Sequence, residues 1–152
     1  MARLDFNHSL LMSASTCPDR EPLSILIVDD NRDAVEMMAL LLETYGHRTH
    51  GAADAEEALE MARRLRPDIV LLDIGLPGID GFEVCRRLRR QEDPGARACV
   101  LAVTGWAGSA NREAAVAAGF DDYLVKPVEV AAVLQALETC RSAALAASAD
   151  LR

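Results

Sequence analysis

Five polar residues stand where apolar runs end: the pair Asp29-Asp30, then Asp73, Thr104 and Lys126. Three carboxylates drawn within a few ångströms of one another repel, and each raises the pKa of the others. A divalent cation resolves that repulsion. Hard oxygen ligands in excess suit Mg²⁺, which takes one or two carboxylates, keeps waters and binds phosphate oxygens, with Mn²⁺ as an alternative ion. The Lys126 ammonium balances part of the negative charge and can meet an incoming anion. The Thr104 hydroxyl can donate to a phosphoryl oxygen, and Gly105 leaves room beside it. A nucleophilic carboxylate, a metal, a cation and a hydroxyl donor fit phosphoryl transfer to a carboxylate. Each residue also has a plainer reading. Asp29-Asp30 and Asp73 suit turns or helix caps, Thr104 has good strand propensity, and one Lys is a common surface residue. The Lys is nonetheless unusual here, because the chain has fifteen Arg and this one Lys. Arg is a wide planar fork and Lys a compact point charge on a thin stem.

For these side chains to meet, the elements carrying them must end at one place. Ile69, Val70, Leu71 and Leu72 run without alternation into Asp73, the pattern of a central strand covered on both faces. Gly75, Pro77, Gly78 and Gly81 then impose a loop. Other strands are expected at residues 23–28, 48–51, 99–104 and 121–125. Between them lie helical stretches. In the first, capped by Asn31 and ended by Gly46, the residues Ala34, Met38, Leu41 and Tyr45 form an apolar stripe. The second, capped by Asp54 and stopped by Pro67, places Ala55, Ala58, Leu59, Ala62 and Leu65 on one face. The third runs from Asp80-Gly81 to Arg90 and buries Phe82, Cys85 and Leu88. The fourth spans residues 111–118 and closes at Gly119. The fifth, from Val128, places Val130, Val133 or Leu134, Leu137, and Cys140 or Arg141 along one side. Five strands alternating with five helices predict an α/β fold, a parallel sheet with helices on both faces. Right-handed connections gather the strand carboxyl ends at one rim, where open α/β sheets place their chemistry.

Composition narrows the classes. Apolar residues make up 51% and charged residues 26%, ordinary for a soluble domain of this length. A net charge of −8 argues against direct nucleic-acid binding. No apolar run approaches a membrane span. Cys17, Cys85, Cys99 and Cys140 are scattered, with no Cys-x-x-Cys and no His at ligand spacing. Neither zinc nor a disulfide framework is expected, and a reducing compartment, the cytoplasm, is the easier reading. His8, His47 and His50 fall away from the predicted rim. Residues 1–22 show no period and read as a flexible arm. Residues 23–147 form the domain, and 148–152 a tail.

The order and spacing of Asp29-Asp30, of Asp73 with Leu76-Pro77 and Asp80-Gly81, of Thr104-Gly105, and of Lys126-Pro127 resemble the receiver domain of bacterial two-component response regulators, the CheY-like family. The resemblance covers residues 23 to about 145, and the wording from Asp73 to Gly81 also resembles receivers attached to hybrid histidine kinases. It implies a doubly wound five-stranded parallel sheet in the order 2-1-3-4-5. It implies that Asp73 is the phosphoacceptor, that Asp30 binds Mg²⁺ directly and Asp29 through water, and that the Gly75 backbone carbonyl is a further metal ligand. Thr104 and Tyr123 match the switch pair, and Lys126 the phosphate-pairing lysine, with a cis Lys126–Pro127 bond. Gly105 and Trp106 stand at the pocket mouth, where Trp106 is expected to shield the phosphoryl group and tune its lifetime.

The implied partners are a sensor histidine kinase or histidine phosphotransfer protein upstream and a downstream protein partner. The latter reads a surface on helix four, strand five and helix five, and the same surface leaves a homodimer open. No output domain is expected after the fifth helix, and the chain is expected to be a signalling receiver rather than a metabolic enzyme. A haloacid-dehalogenase-like phosphatase shares the strand-end Asp, Mg²⁺, Thr and Lys. It needs a second carboxylate two residues after the nucleophile, where this chain has Gly75. A docking module that keeps the fold without phosphorylation would be expected to have lost pocket members, and none is missing.

Overall fold

The computed structural model describes residues 21–91, 97–105 and 108–150. The strands are β1 (Ser24–Val28), β2 (Arg48–Ala52), β3 (Ile69–Asp73), β4 (Cys99–Thr104) and β5 (Asp122–Val125). The helices are α1 (Arg32–Thr44), α2 (Ala55–Leu65), α3 (Gly81–Gln91), α4 (Ser109–Ala118) and α5 (Val130–Asp150). All strand pairs are parallel, in the order β2-β1-β3-β4-β5. The predicted doubly wound sheet is therefore the observed one.

Strand β3 lies at the centre because both its faces are apolar. Ile69, Val70, Leu71 and Leu72 are all at most 2% exposed. Burying each such side chain contributes roughly 1.5–3 kcal/mol. Successive strand residues point to opposite faces, so one run feeds two cores. Leu26, Val28, Val70, Leu72, Val100 and Ala102 meet α2, α3 and α4 through Ala58, Val84, Cys85, Leu88 and Ala115. On the other face Ile25, Ile27, Ile69, Leu71 and Leu101 meet α1 and α5 through Leu42, Val133, Ala136 and Leu137.

Local signals set the helix ends. Asn31 accepts the backbone N–H groups of Asp33 and Ala34 at the start of α1. Asp54 accepts from Glu57 N, and Glu57 in return accepts from Ala53 N, so two donors at the start of α2 are satisfied. Helix α2 ends with Arg66 in the left-handed region (φ 48°) immediately before Pro67.

Three expectations shift. The packed face of α1 is Val35, Met38, Ala39 and Leu42 rather than the stripe through Ala34, Leu41 and Tyr45. The reason is the bare backbone of Gly51 on β2: a Cβ there would lie 2.6 Å from Val35 Cγ1, so Val35 seats the helix on the sheet. Helix α5 begins at Val130, which is exposed, and buries Val133, Ala136, Leu137 and Cys140. Finally, Cys99 and Cys140 are joined in a disulfide, with Cα atoms 5.9 Å apart, against the expectation of no disulfide. Forty-one positions separate them in sequence, so no spacing motif announces the pair. The fold creates it by laying α5 against the first residue of β4. Among the described residues Cys85 lies outside this disulfide and is buried.

Candidate functional site

Each acid is delivered by the end of a strand, and its neighbours fix its direction. Asp29 follows β1 and is buried, with Oδ1 accepting Asn31 N–H at 3.0 Å. Asp30 beside it is exposed. Asp73 closes β3 and is buried, and its Oδ1 accepts Gly75 N–H at 3.0 Å. The three carboxylates each offer an oxygen, and these atoms lie within 4.8 Å of one another.

The loop after Asp73 is held by close backbone contact. Ile74 N donates to Val103 O and Gly81 N to Ile74 O, both at 3.0 Å. A Cβ on Gly81 would stand 2.5 Å from Ile74 Cα and 2.8 Å from Asp73 O. Only glycine lets α3 start this close to the acid. Asp80 then caps α3 by accepting Glu83 N–H at 2.8 Å.

Lys126 follows β5 and reaches across the sheet. Its Nζ lies 3.3 Å from Asp73 Oδ2 and 3.5 Å from Asp29 Oδ2. Burial opposes the ammonium charge, but the fields of Asp73 and Asp29 outweigh it and raise the Lys126 pKa above the ordinary lysine value. The backbone here is pinned, with Lys126 N donating to Thr104 O at 2.7 Å, and the Lys126–Pro127 bond is cis. Thr104 is buried at the end of β4. Gly105 is exposed, and a Cβ there would meet nothing within 4 Å. Trp106 lies outside the described residues.

Tyr123, half-buried on β5, packs against the core under α2, α3 and α4. The Arg112 guanidinium of α4 sits over its ring, 5.8 Å from the centroid, within cation–π range. Arg112 was not anticipated, and a strand–helix contact of this kind leaves no periodic mark. Nor was Arg89 of α3. Its fork donates to Gly119 O, Ala98 O and Asp121 Oδ2 at 2.7–3.0 Å, tying α3 to the entry of β4 and the turn before β5. Of the histidines, His47 is half-buried at the opposite end of β1, accepting Leu23 N–H at Nδ1.

The arrangement thus brings Asp29, Asp30, Asp73 and Lys126 into one small pocket, with Thr104 ending the neighbouring strand. Tyr123 stands two strands from β3, on the far side of β4. One ammonium contacts two of the three clustered acids, Asp29 and Asp73. Oxygen donors in that number and at that separation fit a hard divalent cation of the Mg²⁺ type.

A doubly wound parallel sheet with acids at the ends of β1 and β3 and an ammonium after β5 defines the class of open α/β domains that gather their polar groups at the carboxyl rim. Residues 25–138 match the family model described as response regulator receiver domain. The chain belongs to that family. It is 39% identical over 106 residues to the transcriptional regulatory protein AfsQ1 of Streptomyces coelicolor, covering 70% of this chain and 45% of that protein. Against the probable transcriptional regulatory protein TcrX of Mycobacterium tuberculosis it is 38% identical over 116 residues, 76% of this chain and 48% of the relative. The chain thus spans about half the length of these curated relatives. Among solved structures it superposes on chemotaxis protein CheY4 of Vibrio cholerae with a TM-score of 0.74 and 28% identity, covering 79% of this chain and 99% of that one. The receiver domain of sensor histidine kinase PA1611 from Pseudomonas aeruginosa, solved with magnesium coordinated in its active site cleft, gives 0.70 and 34%, covering 78% and 97%. No described helix is long and apolar enough to cross a membrane.

Proposed function

We propose that this chain is a phosphoacceptor in two-component signalling, with Asp73 as the residue that receives the phosphoryl group. The observation that carries the reading is the placement of Lys126 Nζ between Asp73 and Asp29 in a pocket of three clustered acids. Asp73 attacks phosphorus, a new P–O bond forms and the P–N bond of a partner phosphohistidine breaks, its electron pair returning to the imidazole. Lys126 pairs with the phosphoryl oxygens as charge shifts onto them. Asp29, Asp30, Asp73 and the Gly75 carbonyl would hold Mg²⁺. When bound, the ion offsets the excess carboxylate charge and the charge on the transferring group. The magnesium in the PA1611 receiver supports this choice of metal.

After transfer, Thr104 turns toward the phosphoryl group and Tyr123 follows into the space vacated, biasing a surface built from α4, β5 and α5. Upstream, a sensor histidine kinase or histidine phosphotransfer protein supplies the phosphoryl group in the cytoplasm, and a downstream protein reads the surface.

Intact mass after incubation with Mg²⁺ and a small acyl phosphate tests the reading. The wild type gains one phosphoryl group and Asp73→Asn gains none. Continuous phosphate release from many unrelated esters would favour a phosphatase. No mass gain at all would favour a docking module.

A further inference from the structure

The Cys99–Cys140 pair lies far from the phosphoacceptor pocket, at the foot of β4, and the proposed signalling chemistry does not use it. We propose that the two cysteines form a second covalent modification site, a reversible dithiol–disulfide that fastens α5 to the sheet in response to the thiol–disulfide balance around the protein.

Three observations support it. The fold brings the two residues together, with the sulfurs bonded and Cα atoms 5.9 Å apart, inside the bridging range. The two residues are unequally accessible: Cys140 is 6% exposed within the core on the α5 face, whereas Cys99 at the strand end is half-buried. A small disulfide therefore reaches Cys99 first, and Cys140 is placed to resolve the product. The enclosed segment holds most of β4, all of α4 and β5, and α5 up to Cys140, so the bond ties together the ends of the unit that carries Thr104, Tyr123 and Lys126. Glutathione keeps cytoplasmic thiols largely reduced, so a pair poised this way is more readily a sensor than a fixed staple there.

The chemistry balances as thiol–disulfide exchange. The Cys99 thiolate attacks one sulfur of a low-molecular-weight disulfide, forming a mixed disulfide and expelling one thiolate. The Cys140 thiolate then attacks the Cys99 sulfur and expels the second. Two electrons pass from the protein dithiol to the external disulfide, and the two protons from Cys99 and Cys140 end on the released thiols. Reduction by excess thiol runs the same steps backwards.

The closure constrains the unfolded chain, and its removal frees α5. Reduced protein is expected to melt lower by about 10 °C and to exchange the amides of α5 faster, by a factor on the order of ten. This inference does not depend on phosphoryl transfer, so the two proposals fail separately.

The test equilibrates the full chain in glutathione buffers from strongly reducing to strongly oxidising, then quenches with acid and alkylates the remaining thiols. Two thiols should become protected together in one step, mapped to Cys99 and Cys140, with the melting shift following the same curve. Cys99→Ser and Cys140→Ala should both lose the step and melt alike in all buffers, whereas Cys17→Ser should keep it. The proposal is overturned by a pair that stays reduced at every ratio, or by one that stays oxidised under excess glutathione. It is equally overturned by pairing through Cys17, or by oxidation that leaves both the melting temperature and α5 exchange unchanged.

Discussion

Lys126 lies between two acids, 3.3 Å from Asp73 Oδ2 and 3.5 Å from Asp29 Oδ2. Its nitrogen is within 3.5 Å of both carboxylates, on a side chain still 41% exposed. A compact ammonium meets both at once, whereas a guanidinium is broader and fixed in plane. Lys126→Arg is therefore expected to keep the charge and lose the fit. Lys126→Met and Lys126→Arg should both slow phosphoryl gain from an acyl phosphate, by roughly 10²–10³-fold on the scale of losing one oriented charge partner. Intact mass against time checks this, and a near-normal rate in the Arg variant would mean that charge alone suffices.

Much of this pocket was legible from residue type. Acids, a hydroxyl and a solitary lysine at the ends of apolar runs are local signals, and parallel topology carries them to one rim. The partners that act across the chain were not legible. Arg112 over Tyr123 and the three-way hold of Arg89 depend on side chains from elements far apart in sequence.

At the scale of elements, the approach of α3 to β3 decides how well Asp73 is held. Gly81 is the hinge of that approach, with backbone atoms of Asp73 and Ile74 where a methyl group would go. Those atoms belong to the central strand and its exit, so they cannot yield cheaply. Gly81→Ala should destabilise the protein by about 1–3 kcal/mol, the usual range for overpacking, and should also slow phosphoryl gain. Urea unfolding and the mass assay together check both halves. Loss of activity at full stability would instead place Gly81 in the chemistry rather than in the packing.

The strands and helices were readable because a doubly wound sheet writes continuous apolar strands and capped amphipathic helices. The facing side of α1 was not, since its stripe is broad and the choice is made by the gap at Gly51. Cys99 and Cys140 were unreadable as a pair for a similar reason, because it takes the whole crossover through α4 and β5 to bring them together.

For the whole molecule, pH and phosphorylation probe opposite ends of the sheet. His47 sits at the amino end of β1 with its pKa lowered, first by burial, then by the Arg141 charge, with Glu138 opposing. The unfolded chain therefore binds a proton that the folded chain resists. Stability from this site is full above the ordinary histidine value, about 6.5, and falls as pH drops toward the lower folded value. The neutral ring also accepts Leu23 N–H through Nδ1, a bond that protonation removes. Urea midpoints at pH 7.5 and pH 5.5 should fall further in the wild type than in His47→Asn. Equal slopes would remove His47 from the acid sensitivity.

The carboxyl rim, with Asp73 at its centre, carries the proposed chemistry. The direct measurement is to phosphorylate the full chain with an acyl phosphate and Mg²⁺, reduce it with borohydride, and sequence the peptides. Borohydride converts a phosphorylated aspartate to homoserine and leaves free carboxylates alone. Homoserine is expected at position 73 alone, and none when Mg²⁺ is chelated beforehand. Homoserine at position 29 or 30, or labelling that persists without the metal, would contradict that expectation.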